Sequence, residues 1–138
     1  LVRIREIYSQ RKERVAREAA RLKKQGVGLV VVDIPALPLE AAALMGIPRL
    51  AVGNFAWDWI YSEFIPQDPG WREIVDILHE EYAKTDLLLR LPFCETMQAF
   101  PHIEDIPLVA SPGNSRRNEI AGLTQGDPGK KWILLSFT

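Results

Sequence analysis

The sequence predicts an α/β fold: a parallel sheet with flanking helices. Two observations carry this. Short apolar runs rich in β-branched residues recur along the chain, at Val27–Val32 (VGLVVV), Arg49–Val52 (RLAV) and Asp86–Leu91 (DLLLRL). Near-continuous apolarity of this kind is how strands buried on both faces read. The stretches between them carry helical periodicity, and strands alternating with helices imply parallel pairing through right-handed crossovers.

Taken in order, residues 1–25 read as one amphipathic helix. Ile4, Tyr8, Val15 and Leu22 form a stripe at steps of three and four, with Arg11 interrupting it, and Gly26 is placed to cap the end. After the first strand comes DIPALPLEAAALMGIP. Pro38 suits the first turn of a helix, Leu39 to Met45 propagate it, and Gly46 stops it. Arg49–Val52 is a second strand ending at Gly53-Asn54. Phe55–Phe64 reads as an aromatic helix, broken by Pro66, Pro69 and Gly70. Trp71–Lys84 is a further amphipathic helix with Ile74, Ile77, Leu78 and Tyr82 on one side. Asp86–Leu91 is a strand, residues 92–107 read as irregular, Pro107–Ala110 as a short strand, Asn118–Leu123 as a short helix and Trp132–Phe137 as a last strand.

With 47% hydrophobic and 25% charged residues, the 138-residue chain has enough apolar material for one domain-sized core. Its net charge of -1 gives no global case for a nucleic-acid partner. The single cysteine, Cys94, excludes a disulfide framework within the chain. No apolar run reaches the roughly 18 residues of a membrane span, and the charged opening segment is not a signal peptide. The chain opens without methionine inside a helical pattern and closes on an apolar run. Both ends are therefore expected to be cuts in a longer protein, and a cytoplasmic location is the expectation.

In open α/β sheets, ligands bind outside the carboxyl ends of the strands. Two such ends carry polar residues: Asp33 with the Ile34-Pro35-Ala36 loop, and Gly53-Asn54 with Asp58 one turn further on. Each has a plainer reading. Asn54 serves equally as an N-cap, Asp33 as a turn former, and Asp58 as an acid favoured by a helix dipole. The aromatic run Phe55, Trp57, Trp59, Tyr61 and Phe64 reads first as core. Because Trp57 and Trp59 flank Asp58, at least one of them is expected to reach an interface or a cleft, where an indole would stack on a sugar ring. The first helix holds nine of the 17 basic residues. A solvated face explains them; the functional alternatives are peripheral contact with an anionic membrane or with nucleic acid, and a preceding N-terminal region would also cover them. His102, Glu104 and Asp105 match no established metal-ligand spacing, and His79 reads as surface. The chain has no GxxxxGK[ST] loop, no GxSxG and no HExxH, and Gly26-Val27-Gly28 precedes a strand instead of following one.

The stretch DIPALPLEAAALMGIPRLAVGNFAWDWIYSEF resembles the middle of the N-terminal domain of GT-B glycosyltransferases. VGNFAWDWIYSEF, LLLRLPFCETMQAF and DIPLVA, in that order, resemble the glycosyltransferase-like region of L-arabinokinases and its free-standing bacterial relatives. KKWILLSFT resembles the first strand of the nucleotide-sugar domain, with Thr138 where the family usually has glycine.

The resemblance implies a Rossmann-like sheet within a GT-B two-domain architecture. Residues 1–110 would be the later half of the acceptor-side domain, 111–129 a linker, and 130–138 the first strand of the donor-side domain. It implies metal-independent transfer of a sugar from a UDP- or GDP-linked donor, which acts as co-substrate with no cofactor, to an unidentified acceptor. Asp33, Pro35, Asn54 and Trp57 would line the acceptor side, Ser136 and Thr138 would approach the donor diphosphate, and Asp58 is the reserve candidate for general base. The parent is expected to be a glycosyltransferase and this segment alone to be inactive. Two alternatives share the architecture: a non-catalytic sugar-sensing module associated with a sugar kinase, and a nucleotide-sugar 2-epimerase. The remainder of its own chain is the expected partner, with no nucleic acid and no metal.

Overall fold

In the computed structural model, residues 2–111 and 113–133 are described. The chain runs α1 (Val2–Ser9), α2 (Arg11–Lys24), β1 (Val30–Val32), α3 (Ala36–Met45), β2 (Arg49–Gly53), α4 (Trp57–Ser62), α5 (Trp71–Tyr82), β3 (Leu87–Arg90), β4 (Ile103–Asp105) and α6 (Arg117–Thr124). The four strands form one parallel sheet in sequence order, β1-β2-β3-β4.

The first helix is two. Ser9 donates its hydroxyl to the Glu6 carbonyl at 2.8 Å, and Gln10 leaves helical geometry at φ -93 and ψ 7. A short side chain bonding back onto its own turn competes with helix propagation. Gly26 and Gly46 end α2 and α3 as expected, each at a positive φ (66 and 68). In both cases the following residue bonds back to a carbonyl of the last turn, Val27 to Leu22 and Ile47 to Ala42, each at 3.1 Å.

Burial separates the two faces of the sheet. Val30, Val32, Ala51 and Leu88 are buried with Leu39, Ala42, Ile74, Leu78 and Tyr82 of the helices. The alternate positions Val31, Leu50, Val52, Leu87 and Leu89 stay partly or largely open. The expectation of strands buried on both faces is therefore corrected for the described residues: their apolarity is two-sided, their cover one-sided.

The irregular reading of 92–107 is also corrected. Ile103–Asp105 pairs parallel with β3, although all three residues are exposed. Charged residues on an outer strand are usual, because they discourage further pairing. Residues 107–110 form no strand. The expected last strand, Trp132–Phe137, lies mostly outside the described residues.

Candidate functional site

The carboxyl ends of β1 and β2 meet at an unusual backbone contact. Ile34, just past β1, has φ 72 and is 2% exposed. A β-branched residue in the left-handed region stores about 1–3 kcal/mol of strain, and such residues cluster at functional sites. Gly53 is its counterpart at the end of β2. A Cβ there would lie 2.3 Å from Ile34 Cδ1 and 2.6 Å from Cγ1, so only glycine leaves room for this turn.

Tyr82 holds the turn from below. It is fully buried, stacks on Phe100 at 4.7 Å, and donates its hydroxyl to the Ile34 carbonyl at 2.9 Å. The same oxygen accepts the Trp57 backbone N–H, at 3.4 Å. Burial raises the hydroxyl's pKa further above its ordinary value, which keeps it a donor. One side chain thus ties the β1–α3 loop to the start of α4.

Above this tie lies a hollow of about 260 Å³, open between the α1–α2 pair, the start of α3, α4 and α5. Its apolar wall is Ile4, Ile7, Pro35, Ala36, Leu37 and Leu78, with the rings of Tyr8, Trp57 and Tyr61. Trp57 and Tyr61 sit one helical turn apart with centroids at 5.6 Å, and Tyr61 continues to Trp71 at 4.9 Å. Its polar groups are Arg11, Arg14, Glu81 and the Tyr8 hydroxyl.

Arg11 is the junction of three helices. Its Nε donates to Glu81 Oε1 on α5 at 2.5 Å and its Nη2 to Glu40 Oε1 on α3 at 2.7 Å. Lys84 Nζ reaches the same Glu40 oxygen at 2.7 Å. Burial drives Glu81 up to about 7, outweighing the attraction of a guanidinium it shares with Glu40. Burial also raises Glu40, but Lys84 and Arg11 overcome it and hold that carboxyl below its ordinary value.

The sequence-predicted residues divide. Pro35 and Trp57 meet in the hollow. Asp33 is exposed on a separate depression with Glu18, Arg21 and the edge of β1. Asn54 is not an N-cap, because α4 starts two residues later than expected, with Ala56 in that position. Its carbonyl instead accepts the Glu95 N–H at 3.0 Å, binding the loop after β3 to the end of β2.

Asp58 is 5% exposed and does not line the hollow. It accepts from His79 Nε2 on α5 at 2.8 Å, and its other oxygen has no protein partner among the described residues. The reading of His79 as plain surface is corrected by this pair. Ser136 and Thr138 lie outside the described residues. Asp105 is taken by Arg90, whose Nε and Nη2 reach its two oxygens at 2.7 and 3.1 Å.

Sequence reasoning missed Tyr8, Arg11, Tyr61 and Glu81 as cavity residues. The available signal was a charge on an apolar stripe at two places. Arg11 interrupts the stripe of the first helix, and Glu81 sits beside Tyr82 on the buried face of α5.

The fold is α/β, with a hollow at the carboxyl edge of a four-stranded parallel sheet flanked by helices. The chain is similar to L-arabinokinase of Arabidopsis thaliana, 38% identical over 93 residues. That stretch is 66% of this chain and 9% of that protein, so the chain matches a small part of its relative. No family model matches the chain, and no solved structure matches it. The similarity relates this chain to a sugar kinase and corrects the expected activity of the parent. A sugar kinase is a phosphotransferase, whereas a glycosyltransferase moves the sugar itself. Among the described residues, no helix is long and apolar enough to cross a membrane.

Proposed function

We propose that this chain is a non-catalytic sugar-sensing module, GT-B-like in build, within a larger protein related to a sugar kinase. Its ligand is a monosaccharide held in the hollow at the carboxyl edge of the sheet. The observation that carries this is that the Arg11–Glu81 pair and the rings of Trp57, Tyr61 and Tyr8 line one small cavity.

The chemistry follows from what a sugar offers. One face of a pyranose or furanose ring is C–H and packs on an aromatic surface, while the hydroxyls at its rim need both donors and acceptors. Trp57 and Tyr61 supply the surface. Arg11 is locked by Glu40, so its remaining N–H groups are held in place before any ligand arrives, and Glu81 accepts beside it. The volume of about 260 Å³ lies below the roughly 300–1,000 Å³ of drug-sized sites, which favours a single sugar unit. Histidine, which the epimerase alternative needs in the cleft, does not line the hollow.

The test is calorimetric titration of the protein with free pentoses and hexoses, with UDP- and GDP-sugars alongside. Saturable binding of a free pentose or hexose is expected, and Trp57→Ala is expected to weaken it about 10-fold, the equivalent of about 1.4 kcal/mol. Silence toward every free sugar, or unchanged affinity in the variant, would sink the reading.

A further inference from the structure

We infer that the hollow selects a monosaccharide carrying an oxyanion, a phosphate monoester or a uronic carboxylate, and that Arg14 is the residue that reads it. The inference rests on the sugar reading of the same cavity. Arg14 lines the hollow, and it also lines a second depression of about 370 Å³ along α2, where Leu37 is again the neighbour. The two spaces therefore share Arg14 and Leu37 as lining, which puts Arg14 within the reach of a ligand in either.

The other arginines of that face are occupied. Arg17 pairs with Glu13 at 2.8 Å, and Arg21 with Glu18 at 2.5 Å. Among the described residues, no side chain or carbonyl pairs with the guanidinium of Arg14. The buried charges beneath do not cancel it. Arg11 and Lys84 face Glu40 and Glu81, two cations against two carboxylates, so Arg14 is the surplus. An unpaired guanidinium offers a planar fork that matches phosphate or carboxylate geometry with two parallel hydrogen bonds.

The experiment titrates the protein with four ligands: a free pentose, its phosphate monoester, the corresponding uronate and inorganic phosphate. The set is repeated with Arg14→Ala, Arg14→Lys and Trp57→Ala. An anionic sugar is expected to bind about 10-fold tighter than the neutral one, with the advantage shrinking as salt rises. Arg14→Ala should remove that advantage, read as the ratio of anionic to neutral affinity within the same variant, while Arg14→Lys keeps part of it. The tighter of phosphate and uronate names the oxyanion. The inference is overturned if Arg14→Ala keeps the full advantage, or if anionic and neutral sugars bind alike. It is also overturned if inorganic phosphate binds as tightly as the sugar phosphate and ignores Trp57→Ala. In each of these cases neutral-sugar binding can persist, and the sugar reading then stands. Absence of binding by every sugar, neutral and anionic, would defeat both.

Discussion

Adjacent residues of α4 face two different environments. Trp57 turns to the hollow, where it joins Tyr61, Tyr8 and the Arg11–Glu81 pair. Asp58, the next residue, turns the other way, is buried, and pairs with His79 on α5. The hollow side has space, aromatic surface and polar groups held by neighbours. The Asp58 side has one contact between two helices, leaves the other carboxylate oxygen without a protein partner among the described residues, and lines none of the hollow. A carboxylate near a helix N-terminus at the carboxyl edge of a sheet looks catalytic in one dimension. In three dimensions that carboxylate pairs with His79 of α5, while the neighbouring tryptophan lines the hollow.

The largest expected effect breaks the hollow side. Arg11→Leu leaves Glu40 and Glu81 without their shared cation in a mostly buried setting. Losing one partner of a buried ion pair costs about 3–5 kcal/mol, and urea unfolding should show a loss of that order with sugar binding abolished. Next comes Gly53→Ala, whose Cβ would strike Ile34. Overpacking of this kind costs about 1–3 kcal/mol. The double variant Gly53→Ala/Ile34→Ala should recover part of it, because the clash is with the Ile34 side chain. Tyr82→Phe tests the tie between the two sides. It leaves the Ile34 carbonyl without its donor, at about 1–3 kcal/mol by thermal or chemical unfolding. On the Asp58 side, His79→Ala should cost only about 1 kcal/mol or less, since the imidazole is half exposed.

A pH dependence sharpens the comparison on the hollow side. Folding raises the Glu81 pKa to about 7, above the roughly 4.3 of an unfolded chain. The folded state therefore holds the extra proton in that window. Glu81's contribution to stability is fully present below the unfolded value and is lost as pH rises through about 7. Glu40, held low, contributes in the opposite sense, and its share disappears only in more acidic solution. Unfolding measured at pH 5.5 and 7.5 should show greater stability on the acid side of that interval from Glu81, and Glu81→Gln should flatten the difference.

Much of the architecture was legible because it rests on local chemistry. Gly26 and Gly46 end helices through the left-handed geometry that glycine permits, and the apolar runs at β1, β2 and β3 pair where expected. What was not legible depends on partners distant in sequence. Ile103–Asp105 has no apolar signature, and becomes a strand because β3 offers it an edge. Two-sided apolarity at Val31, Leu50 and Leu87 states what those strands tolerate, not what covers them. The lining of the hollow was legible only in part. Pro35 and Trp57 follow from the rule that ligands gather at strand ends. Arg11 and Glu81 are 70 positions apart, and their pairing exists only once α2 and α5 are neighbours. Asn54 misled because a capping residue before an aromatic run fits local preference, while the chain continues two residues further before α4 begins.

The most direct measurement is a side-by-side sugar titration of the wild type, Trp57→Ala and Asp58→Asn, followed by calorimetry and by tryptophan fluorescence. The hollow as the sugar site predicts that Trp57→Ala weakens binding about 10-fold and that Asp58→Asn leaves the affinity unchanged. Loss of binding in Asp58→Asn with full affinity in Trp57→Ala would contradict it and move the site to the other side of α4.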